Sequence, residues 1–310
     1  MISNPSVPKV VAVLASAAMV FLLGGYLASR DLWPWSLMRQ IRVMLMPSAD
    51  PHYYPSQLFT FDQTGRLTGK VGSELVTCPQ QDERTAVILI LGQSNAGNHG
   101  GQKTKSEYGS RILNFFDGRC YGAASPLLGS TGTLGEYWTE TANLLLRSHR
   151  FETVVLIPAA VGNSTVGRWA SVSSDINRML RQTLNGVATA RLTVTHVLWH
   201  QGEADAARGT REEEYRSRFL AFADFLRTLN VKAPVYVSVA TKCLLVGPYV
   251  EDNPVVRAQI ALAGANDNLR AGINSDQLLG EMDRFDGCHA SGSGVAKMAS
   301  AWARVLGAPL

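Results

Sequence analysis

From Ala86 onward the chain alternates short, β-rich apolar runs with segments of helix length. Residues 86–91, 153–158, 193–200 and 234–239 carry the strand pattern; residues 136–147, 212–229, 254–269 and 291–306 carry the best helical ones. Runs that are apolar at nearly every position belong to strands buried on both faces. The alternation therefore predicts an α/β domain over residues 85–310, with a parallel sheet covered by helices on both sides. Pro254 stands where the third helix opens, a place at which a missing N–H costs nothing.

Two segments precede this domain. Residues 10–28 form a charge-free, mostly apolar run of about 19 residues, long enough to cross a bilayer as a helix. The run outlasts the roughly 7–15 residues of a secretory signal core, so residues 1–30 read as an uncleaved transmembrane anchor. Residues 32–46 mix Trp33 and Trp35 with Arg39 and Arg42, which suits either the membrane interface or a helix packed on the globular domain. Residues 31–84 read as a membrane-proximal linker of limited structure, in which 58–61 and 66–71 flank Asp62-Gln63-Thr64-Gly65 as a small hairpin. The expectation is a single-pass membrane protein with a periplasmic or otherwise extracytoplasmic domain.

Cys78, Cys120, Cys243 and Cys288 form an even set outside the apolar run, as two disulfides in an oxidising compartment would require. Cys288 lies between Asp286 and His289, and the loop after the strand ending near Val239 carries Cys243, so Cys243 with Cys288 and Cys78 with Cys120 is the preferred pairing. The cysteines lack metal-ligand spacing, and no metal is expected. A net charge of +4 without Lys and Arg interleaved with aromatics argues against a nucleic-acid partner.

In open α/β sheets ligands bind beyond the carboxyl ends of the strands, so the residues following each apolar run are the candidates for chemistry. The first run turns through Gly92-Gln93 into Ser94, a candidate nucleophile that needs a base. Asp286-Gly287-Cys288-His289 supplies one: His289 can take the serine proton while a carboxylate three residues upstream fixes its tautomer. Trp199-His200-Gln201-Gly202-Glu203-Ala204-Asp205 packs polar groups at a third strand end, where Glu203 and Asp205 serve either catalysis or loop fixing. At the fourth, Gly162 can present a backbone donor to an oxyanion, followed by Asn163 and, beyond it, Trp169. Trp169 and Trp199 are candidates to face sugar rings, with the core as the alternative place for both. His99 and His200 read as structural.

Taken together, GQSN at 92–95, WHQGEAD at 199–205 and DGCH at 286–289 resemble the motifs of the SGNH hydrolases. The closer likeness is to the branch holding sialate O-acetylesterases and acetylxylan esterases of the carbohydrate esterase family 6 type. The resemblance implies a flavodoxin-like three-layer α/β/α fold and a serine esterase that removes O-acetyl groups from a glycan. It implies Ser94 as nucleophile, His289 as general base and Asp286 as orienting acid, with an oxyanion hole from the Ser94 and Gly162 amides and the Gln201 side chain. Glu203 is the alternative acid and Asn163 the alternative donor. No cofactor is implied, and activity should rise through mildly acidic pH as the imidazole becomes neutral. Two other functions fit the same residues, a sugar O-acetyltransferase and a noncatalytic, membrane-tethered polysaccharide-binding module.

Overall fold

The computed structural model describes residues 58–307. The anchor expected at 10–28 and the interfacial segment at 32–46 lie outside the described residues, among which no helix is long and apolar enough to cross a membrane.

The first strands are β1 (Phe59–Phe61), β2 (Leu67–Lys70), β3 (Leu75–Val76) and β4 (Thr85–Gly92). They are followed by β5 (Ile112–Phe116), β6 (Arg119–Gly122) and β7 (Thr153–Pro158), then β8 (His196–His200), β9 (Val235–Val239) and β10 (Leu269–Asn274). Eight of them form one sheet in the order β10-β9-β8-β4-β7-β5-β6-β3. The pairs from β10 to β5 are parallel, whereas β6 pairs antiparallel with both β5 and β3. Within this sheet β7-β4-β8-β9-β10 have the flavodoxin-like order, and β5, β6 and β3 extend it on one side. That mixed extension departs from the purely parallel sheet expected.

β4 is buried at every position. Val87, Leu89 and Leu91 enter one apolar core and Ala86, Ile88 and Ile90 the other, as the two-residue period of a strand dictates. Helices α1 (Trp138–Arg147) and α8 (Gly292–Val305) close the second core; α3 (Asp175–Thr189), α5 (Glu212–Thr228) and α6 (Pro254–Leu262) close the first. Shorter helices α2 (Val166–Ala170), α4 (Glu203–Ala207) and α7 (Ser275–Leu278) sit between them in the chain. Side-chain oxygens of Ser174, Asn253 and Ser291 accept the first free N–H groups of α3, α6 and α8.

Several expectations need correction. The third predicted helix stops at Leu262, the chain turns at Gly264 with φ +86°, and residues 269–274 become edge strand β10. Residues 58–84 are not a loosely structured linker. β1 and β2 do form the hairpin, with Asp62 accepting from the Thr64 and Arg66 amides at 2.9 and 3.1 Å. Within it Leu67 is fully buried, and beyond it β3 joins the main sheet and Cys78 is bonded to Cys120. The other disulfide joins Cys243 to Cys288, so both pairings are as read from the sequence.

Candidate active site

Gly92 ends β4 at φ +135°, and a Cβ there would lie 1.9 Å from the His200 carbonyl oxygen on neighbouring β8. Only glycine permits this crossing. The Gln93 amide donates to the same carbonyl at 3.1 Å, and the chain then tightens into a 3-10 turn over Ser94–Ala96. Ser94 is thus the partly exposed first residue of a turn, whose amide has no acceptor inside the turn.

The loop before α8 holds the other reactive pair. Asp286 Oδ1 accepts the Cys288 and His289 amides at 2.9 and 2.7 Å, and Oδ2 lies 2.6 Å from His289 Nδ1. The side chains of Asp286 and His289 are only 14% and 15% exposed. Burial acts to raise the Asp286 pKa, but its hydrogen bond to His289, the nearby imidazole and the two amides outweigh it and hold the carboxyl below its ordinary value. The carboxylate fixes one ring nitrogen, and His289 Nε2 is buried without a protein partner.

Further bonds bring this loop to the serine. Asn95 Nδ2 donates to Glu203 Oε1 at 2.8 Å and to the Cys288 carbonyl at 3.3 Å. Arg284 donates to that carbonyl at 2.6 Å and to the Ser275 carbonyl at 3.0 Å. The Leu244 amide donates to the Gly287 carbonyl at 3.1 Å, beside the Cys243–Cys288 bond. Glu203 is therefore a buried tie between the two loops; among the described residues it is Asp286 that holds His289. Burial, opposed by the Asn95 bond, pushes Glu203 up to about 7.

The Gly162 region also arrives here. The Val161 amide donates to the Gly92 carbonyl at 2.9 Å, and a Cβ on Gly162 would lie 3.9 Å from both Ser94 Cβ and His99 Nε2. The Gly162 amide, however, donates to Thr131 Oγ1 at 2.9 Å, so in this structure it is occupied. Asn163 follows, exposed, in the left-handed region at φ +52°.

Gln201 is placed differently from expectation, and of the two readings open for the tryptophans the core is the one they take. Gln201 is fully buried: its Nε2 donates to Asp205 Oδ2 at 2.6 Å and to the Ser164 carbonyl at 2.9 Å, while Tyr215 donates to its Oε1 at 2.9 Å. Its amide braces the floor of the site and is spent on protein partners rather than turned to an oxyanion. Asp205 likewise fixes structure, accepting from the Val166 amide at 2.8 Å at the start of α2. Trp169 and Trp199 are fully buried, packed edge to face at 5.2 Å beside Phe222, with their indole N–H groups bonded to Ser164 and Tyr215. Neither can face a sugar, because the aromatic cluster gains more from dry packing than a surface position offers. His200 is structural as expected, fully enclosed at the end of β8.

One residue read as structural belongs to the site. The His99 ring stacks on His289 at 5.1 Å with 21° between planes, and its Nε2 lies 3.4 Å from Thr131 Oγ1. Burial and the neighbouring His289 hold it down to about 3, so it is neutral at working pH. Its position five residues after Ser94 was the only signal, and nothing in that spacing says which way the ring points.

A serine at the end of the central strand beside a carboxylate-held imidazole, on a flavodoxin-like sheet, defines the hydrolase class that the motifs suggested. The family model for carbohydrate esterases described as sialic acid-specific acetylesterases matches residues 84–306, and the chain belongs to this family. It is a carboxylic ester hydrolase. Similar solved structures include an Arabidopsis thaliana protein, at 17% identity and TM-score 0.58 over 72% of this chain and 97% of that one. A Clostridium thermocellum family 3 carbohydrate esterase is similar at 15% identity and TM-score 0.44 over 72% and 97%. The acetylxylan esterase Axe2 of Geobacillus stearothermophilus, in a catalytic mutant, is similar at 14% identity and TM-score 0.42 over 73% and 95%. The first of these likenesses supports the fold. No curated protein matches the sequence.

Proposed function

We propose that the chain removes O-acetyl groups from a carbohydrate through an acyl-enzyme on Ser94, with His289 as general base and Asp286 as its orienting acid. The observation that carries this is the 2.6 Å contact between Asp286 Oδ2 and His289 Nδ1, which leaves Nε2 as the ring nitrogen free for proton transfer. Ser94 Oγ attacks the acetyl carbonyl as Nε2 takes its proton, and the same proton passes to the departing sugar oxygen. Water, deprotonated by His289, then releases acetate and restores the serine. The Ser94–His289 hydrogen bond that this transfer needs forms when substrate is seated.

The Ser94 amide is one oxyanion donor. The Gly162 amide serves as the second when Thr131 Oγ1 yields it, which a bound oxyanion, the stronger acceptor, favours. The two disulfides support a domain that works in an oxidising compartment outside the cytoplasm.

A fluorophosphonate reagent applied to the full chain tests the covalent step. Mass spectrometry of the digest is expected to find the adduct on Ser94, with labelling strongly slowed in His289→Ala and protected by an acetylated sugar. Labelling of a different serine, or of Ser94 at the same rate without His289, would refute the assignment.

A further inference from the structure

Beside Phe285, whose ring neighbours that of His289, the surface opens into a groove of about 350 Å³. Its floor is backbone. Gly100 and Gly135 exchange both N–H···O bonds at 2.8 Å, and the Gly101 amide donates to the Ala290 carbonyl at 2.7 Å. A Cβ on Gly135 would fall 1.7 Å from the Gln102 carbonyl oxygen, so no larger residue fits there. Phe285 and Leu134 form the walls, each 43% exposed, and Lys103 lies at the rim.

The groove adjoins the loop that holds His289 through Phe285. The Phe285 amide donates to the His289 carbonyl at 3.0 Å, and the two rings lie 6.1 Å apart, tilted by 30°. Gly100 and Gly101 directly follow His99. Phe285 and Leu134 thus keep a large part of their apolar surface open to solvent at this groove. An exposed aromatic face beside backbone and ammonium polar groups matches a pyranose ring, which presents C–H groups on its faces and hydroxyls at its edge.

We propose that this groove is a second sugar subsite, which receives the ring next to the acetylated one, so that the preferred substrate is an oligo- or polysaccharide ester rather than a lone acetylated sugar. Phe285 supplies the stacking platform and Lys103 a donor to the ring's oxygens. The proposal rests on the carbohydrate esterase reading above and adds the length of substrate that the site recognises.

The test compares kcat/KM of the full chain for an acetylated monosaccharide and for acetylated oligosaccharides of the same sugar. 4-Nitrophenyl acetate serves as the reference ester, and the set is repeated with Phe285→Ala and Lys103→Ala. The expected result is at least a ten-fold preference for the oligosaccharide, carried mainly by KM. Phe285→Ala should reduce that preference several-fold, measured as a ratio to 4-nitrophenyl acetate, and Lys103→Ala should reduce it less. Thermal unfolding of each variant separates lost binding from lost folding. Equal kcat/KM for both sugar esters, or a preference that survives Phe285→Ala, overturns the subsite while leaving the esterase reading intact. Turnover of 4-nitrophenyl acetate with no sugar ester hydrolysed overturns the carbohydrate reading, and the subsite with it.

Discussion

The Asp286–His289 contact is legible because a carboxylate three residues before a histidine can reach its ring, whereas Ser94 lies far away in the chain and its turn meets the Asp286–His289 loop only through the fold, by bonds such as that from Asn95 to the Cys288 carbonyl. A carboxylate three residues before a histidine can cap that loop and hold the ring at once, and it does both. Gln201, and the choice between sugar face and core for Trp169 and Trp199, are not legible because sequence gives position along a strand end and not the direction of a side chain. Burial decided the tryptophans, and competing acceptors decided Gln201. Glu203 gives a residue-scale prediction. Its pKa near 7 in the folded state, raised by burial, exceeds that of an unfolded glutamate at about 4.3. The folded protein therefore holds the extra proton between those values, and the contribution of Glu203 to stability is greatest below about pH 4.3 and declines as pH rises towards about 7. The shift corresponds to a few kcal/mol, about 4 at most. Glu203→Gln keeps an acceptor for Asn95 and should flatten the fall in melting temperature across that window. An unchanged slope would show that Glu203 does not titrate there.

At the scale of elements, β4, β7, β8 and β9 lie within a few residues of their predicted bounds because unbroken apolar runs flanked by polar loops leave little else for them to be. β5 carries a buried asparagine whose side chain bonds the Leu128 amide and carbonyl, a use of polarity that mimics a loop in the sequence. β10 reads LRAGIN at the sheet edge, too weakly patterned to be told from a helix end. The loop carrying Asp286 and His289 depends on the Cys243–Cys288 bond, which ties it to the segment after β9 across 45 residues of chain. Replacing both cysteines by alanine is predicted to cost about 2–4 kcal/mol of stability. It should also lower kcat well below the level explained by any unfolded fraction, because the base is less firmly held. Denaturant titration and steady-state rates on the same sample check this; a full kcat after loss of the disulfide would show that the loop positions itself.

For the whole molecule, the alternating pattern gave the layered architecture, yet not the three-strand extension that carries the sheet beyond β7. Nor did it show that residues 58–84 are part of the domain, since β3 has two residues and its place is set by Cys78–Cys120 and partner β6 rather than by its own sequence. The result is one continuous sheet whose central strand delivers a serine to the loop that holds His289. The measurement that bears most directly on this account is acetate release from an acetylated carbohydrate by the full chain, beside Ser94→Ala, His289→Ala and Asp286→Asn. The account predicts losses on the order of a thousand-fold or more in kcat for the first two and a hundred- to ten-thousand-fold for the third, with folding retained. Wild-type activity that persists in folded Ser94→Ala would contradict it.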